Sequence, residues 1–129
     1  MNQKPRWLRI LVLLAVVALI VLTRAYVADS PIEQSGDEPL HWGNLHTLED
    51  HFARHGPALL SQSAEHYARQ AHVFYLEREG RQVKTDIDGA IRVYDAETNT
   101  FGAYNADGTT RTFFKPSAGQ AYFDRQPGQ

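Results

Sequence analysis

The chain contains no cysteine among its 129 residues. That absence excludes a disulfide framework, a cysteine nucleophile and a thiolate metal centre in one step. Several other devices are missing. No Gly-rich phosphate loop occurs, and no HExxH zinc motif. Ser61 and Ser63 lack the setting of a nucleophile elbow. The "DID" at 86–88 is not a calcium-loop pattern and reads as the lead-in to a hairpin. There is no repeat and no low-complexity tract. A strong charge of either sign is also lacking: the formal net charge is −2. From residue 40 onward nine Lys/Arg face eleven Asp/Glu. This balance argues against a generic nucleic-acid binder, which carries a basic excess, but leaves room for a local basic patch.

Long apolar runs are absent except once. "RWLRILVLLAVVALIVLTR" holds an uncharged stretch at 10–23, preceded by Lys4, Arg6 and Arg9. Fourteen residues are short for a membrane span, which takes about 20. Counting Trp7 and Leu8, and letting Arg9 and Arg24 snorkel, gives a membrane segment at 7–24. Residues 1–25 therefore read as a signal anchor or a signal peptide, with Thr23-Arg24-Ala25 a poor match to a cleavage site. The basic head places the remainder outside the cytoplasm. Residues 26–39, "YVADSPIEQSGDEP", are polar and acidic with two prolines, and read as a tether. Residues 40–129 are long enough to fold on a core without staples. All six histidines lie at 41–72, so acidification charges that part of the domain selectively.

Within 40–129 a helical half precedes a strand half. "NLHTLEDHFARHG" offers Asn44 as a cap and Gly56-Pro57 as a stop, with Leu45, Leu48 and Phe52 recurring at helical spacing. Leu60, Ala64, Tyr67, Ala68, Ala71 and Phe74 form the apolar stripe of a second helix. The period then becomes two. "QVKTDID", "AIRVYDA", "TFGAYNA" and "TTRTFFK" are strands separated by short turns, hence antiparallel neighbours in a meander, and "QAYFDRQ" offers one more short edge strand. The fold class expected is α+β: an N-terminal anchor or signal, then two helices packed on an antiparallel β-meander.

Alternation assigns faces to the meander. Ile91, Val93, Phe101, Ala103 and Phe114 are expected to pack on the helices. The far side then carries Arg92, Tyr94, Tyr104, Arg111, Phe113 and Lys115. Cations interleaved with rings suit single-stranded nucleic acid, which needs phosphate neutralisation and base stacking. Aromatics and threonines are also ordinary strand residues, and Lys and Arg keep edges soluble. His51 and His55 share one helix face at a spacing that can hold a metal, but no third ligand is apparent in sequence. No cofactor is called for. Metal-free phosphodiester cleavage needs a proton-transferring group such as an imidazole, and a cation to stabilise charge on phosphorus oxygens. His51 or His55, Arg92 and Lys115 are of those types, with Thr112 as a hydroxyl donor.

Taken together, "HFARHG", "IRVYDAETNTFGAYNADGTTRTFFKP" and "YFDRQPG" resemble the C-terminal toxin domains of bacterial polymorphic and contact-dependent inhibition systems, in the barnase, EndoU, colicin and RelE-like ribonuclease group. The resemblance spans about 46–128. It implies a metal-independent endoribonuclease toxin acting on tRNA or other single-stranded RNA by 2′-hydroxyl attack, with a cognate immunity protein as partner. Carried over position by position, it places catalysis at His51, His55, Arg92, Thr112 and Lys115. Tyr94, Tyr104, Arg111 and Phe113 are the RNA-binding candidates. Simple alternation sets Thr112 opposite Arg111 and Lys115, so either a bulge near Phe113-Phe114 re-aims them or one assignment is wrong. With the export segment, the protein is expected in the bacterial inner membrane with its domain outside the cytoplasm, or secreted. The alternative is a non-catalytic envelope binding module on the same fold.

Overall fold

The "NADG" turn shows how the sequence sets the sheet. The Gly108 backbone N–H donates to the Asn105 carbonyl at 2.9 Å, and Gly108 takes φ +83°, a conformation that side-chain-bearing residues rarely adopt. Asp107 Oδ1 accepts from the Thr109 backbone N–H and hydroxyl, fixing the exit from the turn. At the preceding hairpin, Asp95 Oδ1 accepts from the Glu97 backbone N–H at 2.9 Å, and Asn99 takes φ +49°. Such turns join β1 (Gln82–Thr85), β2 (Ile91–Asp95), β3 (Thr100–Tyr104) and β4 (Thr110–Phe114). They form one antiparallel sheet in the order β1-β2-β3-β4.

The computed structural model describes residues 39–129. The signal or anchor expected at 1–25, its membrane segment at 7–24 and nearly all of the tether at 26–39 lie outside the described residues. Helix α1 spans Leu48–His55, α2 spans Ala64–Leu76 and α3 spans Gln120–Asp124. The described residues are thus α+β, with three helices and a four-stranded antiparallel sheet. Among the described residues no helix is long and apolar enough to cross a membrane.

A 3-10 turn at Leu45–Thr47 leads into α1, and Asn44 Oδ1 caps that turn by accepting from the His46 backbone N–H. Ser63 caps α2 through the His66 backbone N–H. Ala64, Tyr67, Ala68, Ala71 and Phe74 of α2 are buried as the stripe predicts. Leu45 and Leu60 are not, at 61% and 84% exposure. Leu45 sits in the 3-10 turn before α1, and Leu60 ends a second 3-10 turn at Pro57–Leu59 in the left-handed conformation, so the helical period holds at neither.

The sheet is covered on both faces, and this reverses part of the expected alternation. Val93, Tyr104 and Phe113 pack on Tyr67, Ala71 and Phe74 in the main core. Tyr94, Phe101 and Phe123 form a second core on the other face, with Ala103, Phe114 and Tyr122 against it. Phe101, Ala103 and Phe114 therefore face away from α2, and Tyr104 and Phe113 face towards it. Gly102 makes this arrangement fit: the Tyr104 phenol crosses the space that a Cβ at 102 would fill, and donates to the Ala71 carbonyl at 2.9 Å. "QAYFDRQ" supplies α3 rather than an edge strand. Its C-terminal turn is tied to β1 by Lys84 Nζ, which donates to the carbonyls of Phe123, Asp124 and Gln126 at 2.9–3.1 Å.

Candidate active site

Helix α1 packs against both α2 and the edge strand β4. His51 and His55 are one turn apart, their ring centroids separated by 6.0 Å. His51 Nδ1 lies 3.5 Å from Thr112 Oγ1, joining residues 61 positions apart in the chain. That distance is at the outer limit of hydrogen bonding. The Trp42 ring stands edge-on to His51, with centroids 5.3 Å apart, and its Nε1 donates to Thr47 Oγ1 at 3.2 Å. Trp42 is itself fixed by a parallel bridge to Thr110, which closes the edge of β4 two positions before Thr112.

Thr112 reaches His51 because β4 carries a bulge. Ala103 pairs with Thr112 but Tyr104 pairs with Thr110, leaving Arg111 as the extra residue. The irregularity thus falls at Arg111, not at Phe113-Phe114. It allows Thr110 to be fully buried while Thr112 faces the side of Ala103 and Arg92.

Arg92, Ala103 and Thr112 occupy one register row across β2, β3 and β4. Adjacent strands are spaced by 4.7–4.9 Å, so the Cα atoms of Arg92 and Thr112 stand about 10 Å apart over a small alanine floor. Arg92 is not freely exposed: its side chain is 12% accessible and its Nη1 lies 3.3 Å from Asp86 Oδ2. Nη1 makes no aligned hydrogen bond there. Arg111 reaches Asn105 Oδ1 through Nε and lies 3.8 Å from Asp88 through Nη2.

Both imidazoles are held below their ordinary value of 6.5. For His51 the causes are burial and then the nearby Arg54 charge. For His55 they are burial, Arg54 and then His51. Asp50 pulls the other way but is itself paired to Arg54 at 2.6 Å. Both rings are therefore neutral at pH 7, the form that can accept a proton.

Of the residues expected to act together, His51, His55 and Thr112 meet, and Arg92 shares their side of the sheet. Lys115 does not join them. One position beyond Phe114, it projects to the helix side and donates to the Thr98 carbonyl at 2.6 Å and Thr100 Oγ1 at 3.3 Å. Tyr104 and Phe113 are core residues at 0% and 4% exposure, and neither presents a ring to solvent. Tyr94 does lie on the Arg92 side, but Phe123 of α3 stacks over it and leaves it 3% exposed. The aromatic rings half-exposed on this side are instead Phe114 and Tyr122. Asp86, Phe114, Tyr122 and Trp42 were not legible as site residues. The one available signal was the adjacency of Phe113 and Phe114, which forces one ring onto each face.

A separate groove of about 450 Å³ opens on the helix side, between α2 and the β2–β3 turn. Its Arg81 is paired with Asp95 at 3.5 Å and Glu77 at 3.8 Å, and it includes none of His51, His55, Arg92 or Thr112. Among the described residues no group of three or more His, Cys, Asp or Glu converges on a common centre. No protein-family model matches the chain, and no curated protein matches it in sequence.

Proposed function

We propose that residues 40–129 are a metal-independent endoribonuclease domain of the toxin type, acting on single-stranded RNA such as the loops of tRNA. The observation that carries this reading is the approach of His51 to Thr112 from opposite halves of the chain, on the side of the sheet that bears Arg92. With His51 Nδ1–H directed at Thr112 Oγ1, Nε2 is left as an acceptor for the 2′-hydroxyl proton. Catalytic hydrogen bonds in unliganded sites are often long and tighten on substrate, which accommodates the 3.5 Å separation. The freed oxygen attacks the adjacent phosphorus, and Arg92 stabilises the charge on the phosphorane oxygens. The proton taken up by His51 is then passed through His55, the nearest second imidazole with its ring 6.0 Å away, or through water, to the departing 5′-oxygen, which returns both rings to the neutral form. The products are a 2′,3′-cyclic phosphate and a 5′-hydroxyl. A cognate immunity protein and delivery across the inner membrane belong to the same proposal.

The Asp86 carboxylate beside Arg92 favours a second reading, a non-catalytic envelope binding module, because it already neutralises the cation that phosphate needs. One experiment separates the two. The purified full-length chain is incubated with total RNA in EDTA, and the ends are analysed. The expected result is discrete cleavage with 2′,3′-cyclic phosphate termini, slowed by roughly 10²–10⁴-fold in His51→Ala, the usual contribution of a general base. Intact RNA, or cleavage that appears only on adding a divalent metal, overturns the nuclease reading.

A further inference from the structure

We infer that Phe114 and Tyr122 form a stacking ledge for one unpaired nucleobase next to His51 and His55, so that the short helix α3 supplies part of the RNA site. This rests on the nuclease reading for its substrate, but it is carried by different residues. Phe114 follows Thr112 by two positions in β4 and so faces the same side of the sheet. Its ring lies 5.1 Å from that of His55, tilted by only 31°. On its other flank Tyr122 stands nearly perpendicular, with centroids 5.3 Å apart and planes at 77°. Both Phe114 and Tyr122 keep part of their surface accessible, whereas Tyr94 and Phe101 behind them are buried. Phe114 thus borders the His55 imidazole and Tyr122 borders Phe114, while the closed ring of Tyr94 lies against Phe123 of α3 and that of Phe101 against Phe114 and Tyr122.

The chemistry of such a ledge is specific in one respect and tolerant in another. Any base can stack on an aromatic face, so base identity matters little. A paired base in a duplex cannot present its face, so the site selects loops, bulges and ends. A base seated on Phe114 brings the attached ribose towards His51 and Thr112. Tyr122 is then a specificity residue that positions the nucleotide without taking part in proton transfer.

The test uses the full-length chain and four-nucleotide 2′-fluoro RNA probes, which lack the attacking hydroxyl. One probe is intact, and four carry an abasic site at each position in turn. Binding is read as Kd by fluorescence anisotropy. One abasic position is expected to weaken binding about 10- to 100-fold. Tyr122→Leu, which keeps apolar packing on Phe101 and Phe114, is expected to weaken the intact probe to the same level without further weakening that abasic probe. Tyr122→Phe retains wild-type Kd. Absence of binding, equal affinity for all five probes, or an unchanged Kd in Tyr122→Leu overturns the ledge. Parallel cleavage of natural RNA separates the two ideas. Cleavage without base-dependent binding removes the ledge and spares the nuclease, and base-dependent binding without cleavage does the reverse.

Discussion

The charge state of His51 is set by position. Burial against Trp42 and β4 disfavours the imidazolium, and the Arg54 guanidinium adds to that penalty, so the folded pKa lies below 6.5. As a general base, His51 must be neutral, and the rate should fall as pH drops through that lowered value. The acidic limb of the kcat/KM profile is therefore expected to have its midpoint below 6.5. Arg54→Gln removes a cation and leaves Asp50, which acts in the opposite sense. It should move the limb upward in pH while leaving the plateau rate largely intact. An acidic limb that stays put in Arg54→Gln would assign it to another group. The pair of histidines was legible from spacing on one helix face, and the side of Arg92 from strand parity. The placing of Thr112 beside them came only from the resemblance, because simple alternation set it on the opposite side and the bulge at Arg111 is not visible in sequence. The role of Asp86 was not, because an ion pair between β2 and the β1–β2 turn depends on register. Lys115 was misplaced for a simple reason: its parity follows Phe113, and Phe113 is a core residue.

At the scale of elements, β4 decides how the sheet is read. Its hairpin and length follow from "NADG" and the alternating run, and both were visible in sequence. Its faces were not. Period-two alternation identifies which residues share a side but names the buried side only when the other is wet. Here both are covered, by α2 on one side and α3 on the other, and the bulge at Arg111 changes parity within the strand. "QAYFDRQ" is too short to distinguish a helix from a strand by period, so the element that covers the second face was missed. The two adjacent phenylalanines give a direct measurement. Phe113 packs against Tyr67 and Phe74 and is 4% exposed. Phe113→Ala is expected to cost about 3–5 kcal/mol in chemical denaturation. Phe114 keeps part of its surface in solvent, and Phe114→Ala should cost about 1–2 kcal/mol. Equal costs, or the reverse order, would contradict the two-core arrangement.

For the molecule as a whole, the ionisable groups predict how stability depends on acid. His51 and His55 have folded pKa values below their unfolded value of 6.5. In the interval between, the unfolded chain binds more protons than the folded one, so stability falls as pH decreases. This contribution is fully present above 6.5 and is lost as pH falls through the lowered values. A second window lies lower. Burial works against the Asp95 carboxylate, but hydrogen bonds from the Thr98 and Glu97 backbone and the charge of Arg81 carry its pKa below 3.8. Asp107 is lowered through its hydrogen bonds from Thr109. Depressed carboxylates stabilise above their unfolded pKa and lose that contribution as pH falls through the folded one. Thermal melts of the full-length chain should therefore show two separate losses of Tm on acidification, one beginning near 6.5 and one beginning near 3.8. The double variant His51→Gln/His55→Gln should flatten the first and leave the second. Its activity should be lost at every pH, so the melts isolate the stability effect from the catalytic one. A wild-type Tm that does not change between pH 7.5 and 5.5 would mean that the two imidazoles are not desolvated in the folded chain. The neutral base required beside Thr112 would then lose its physical support.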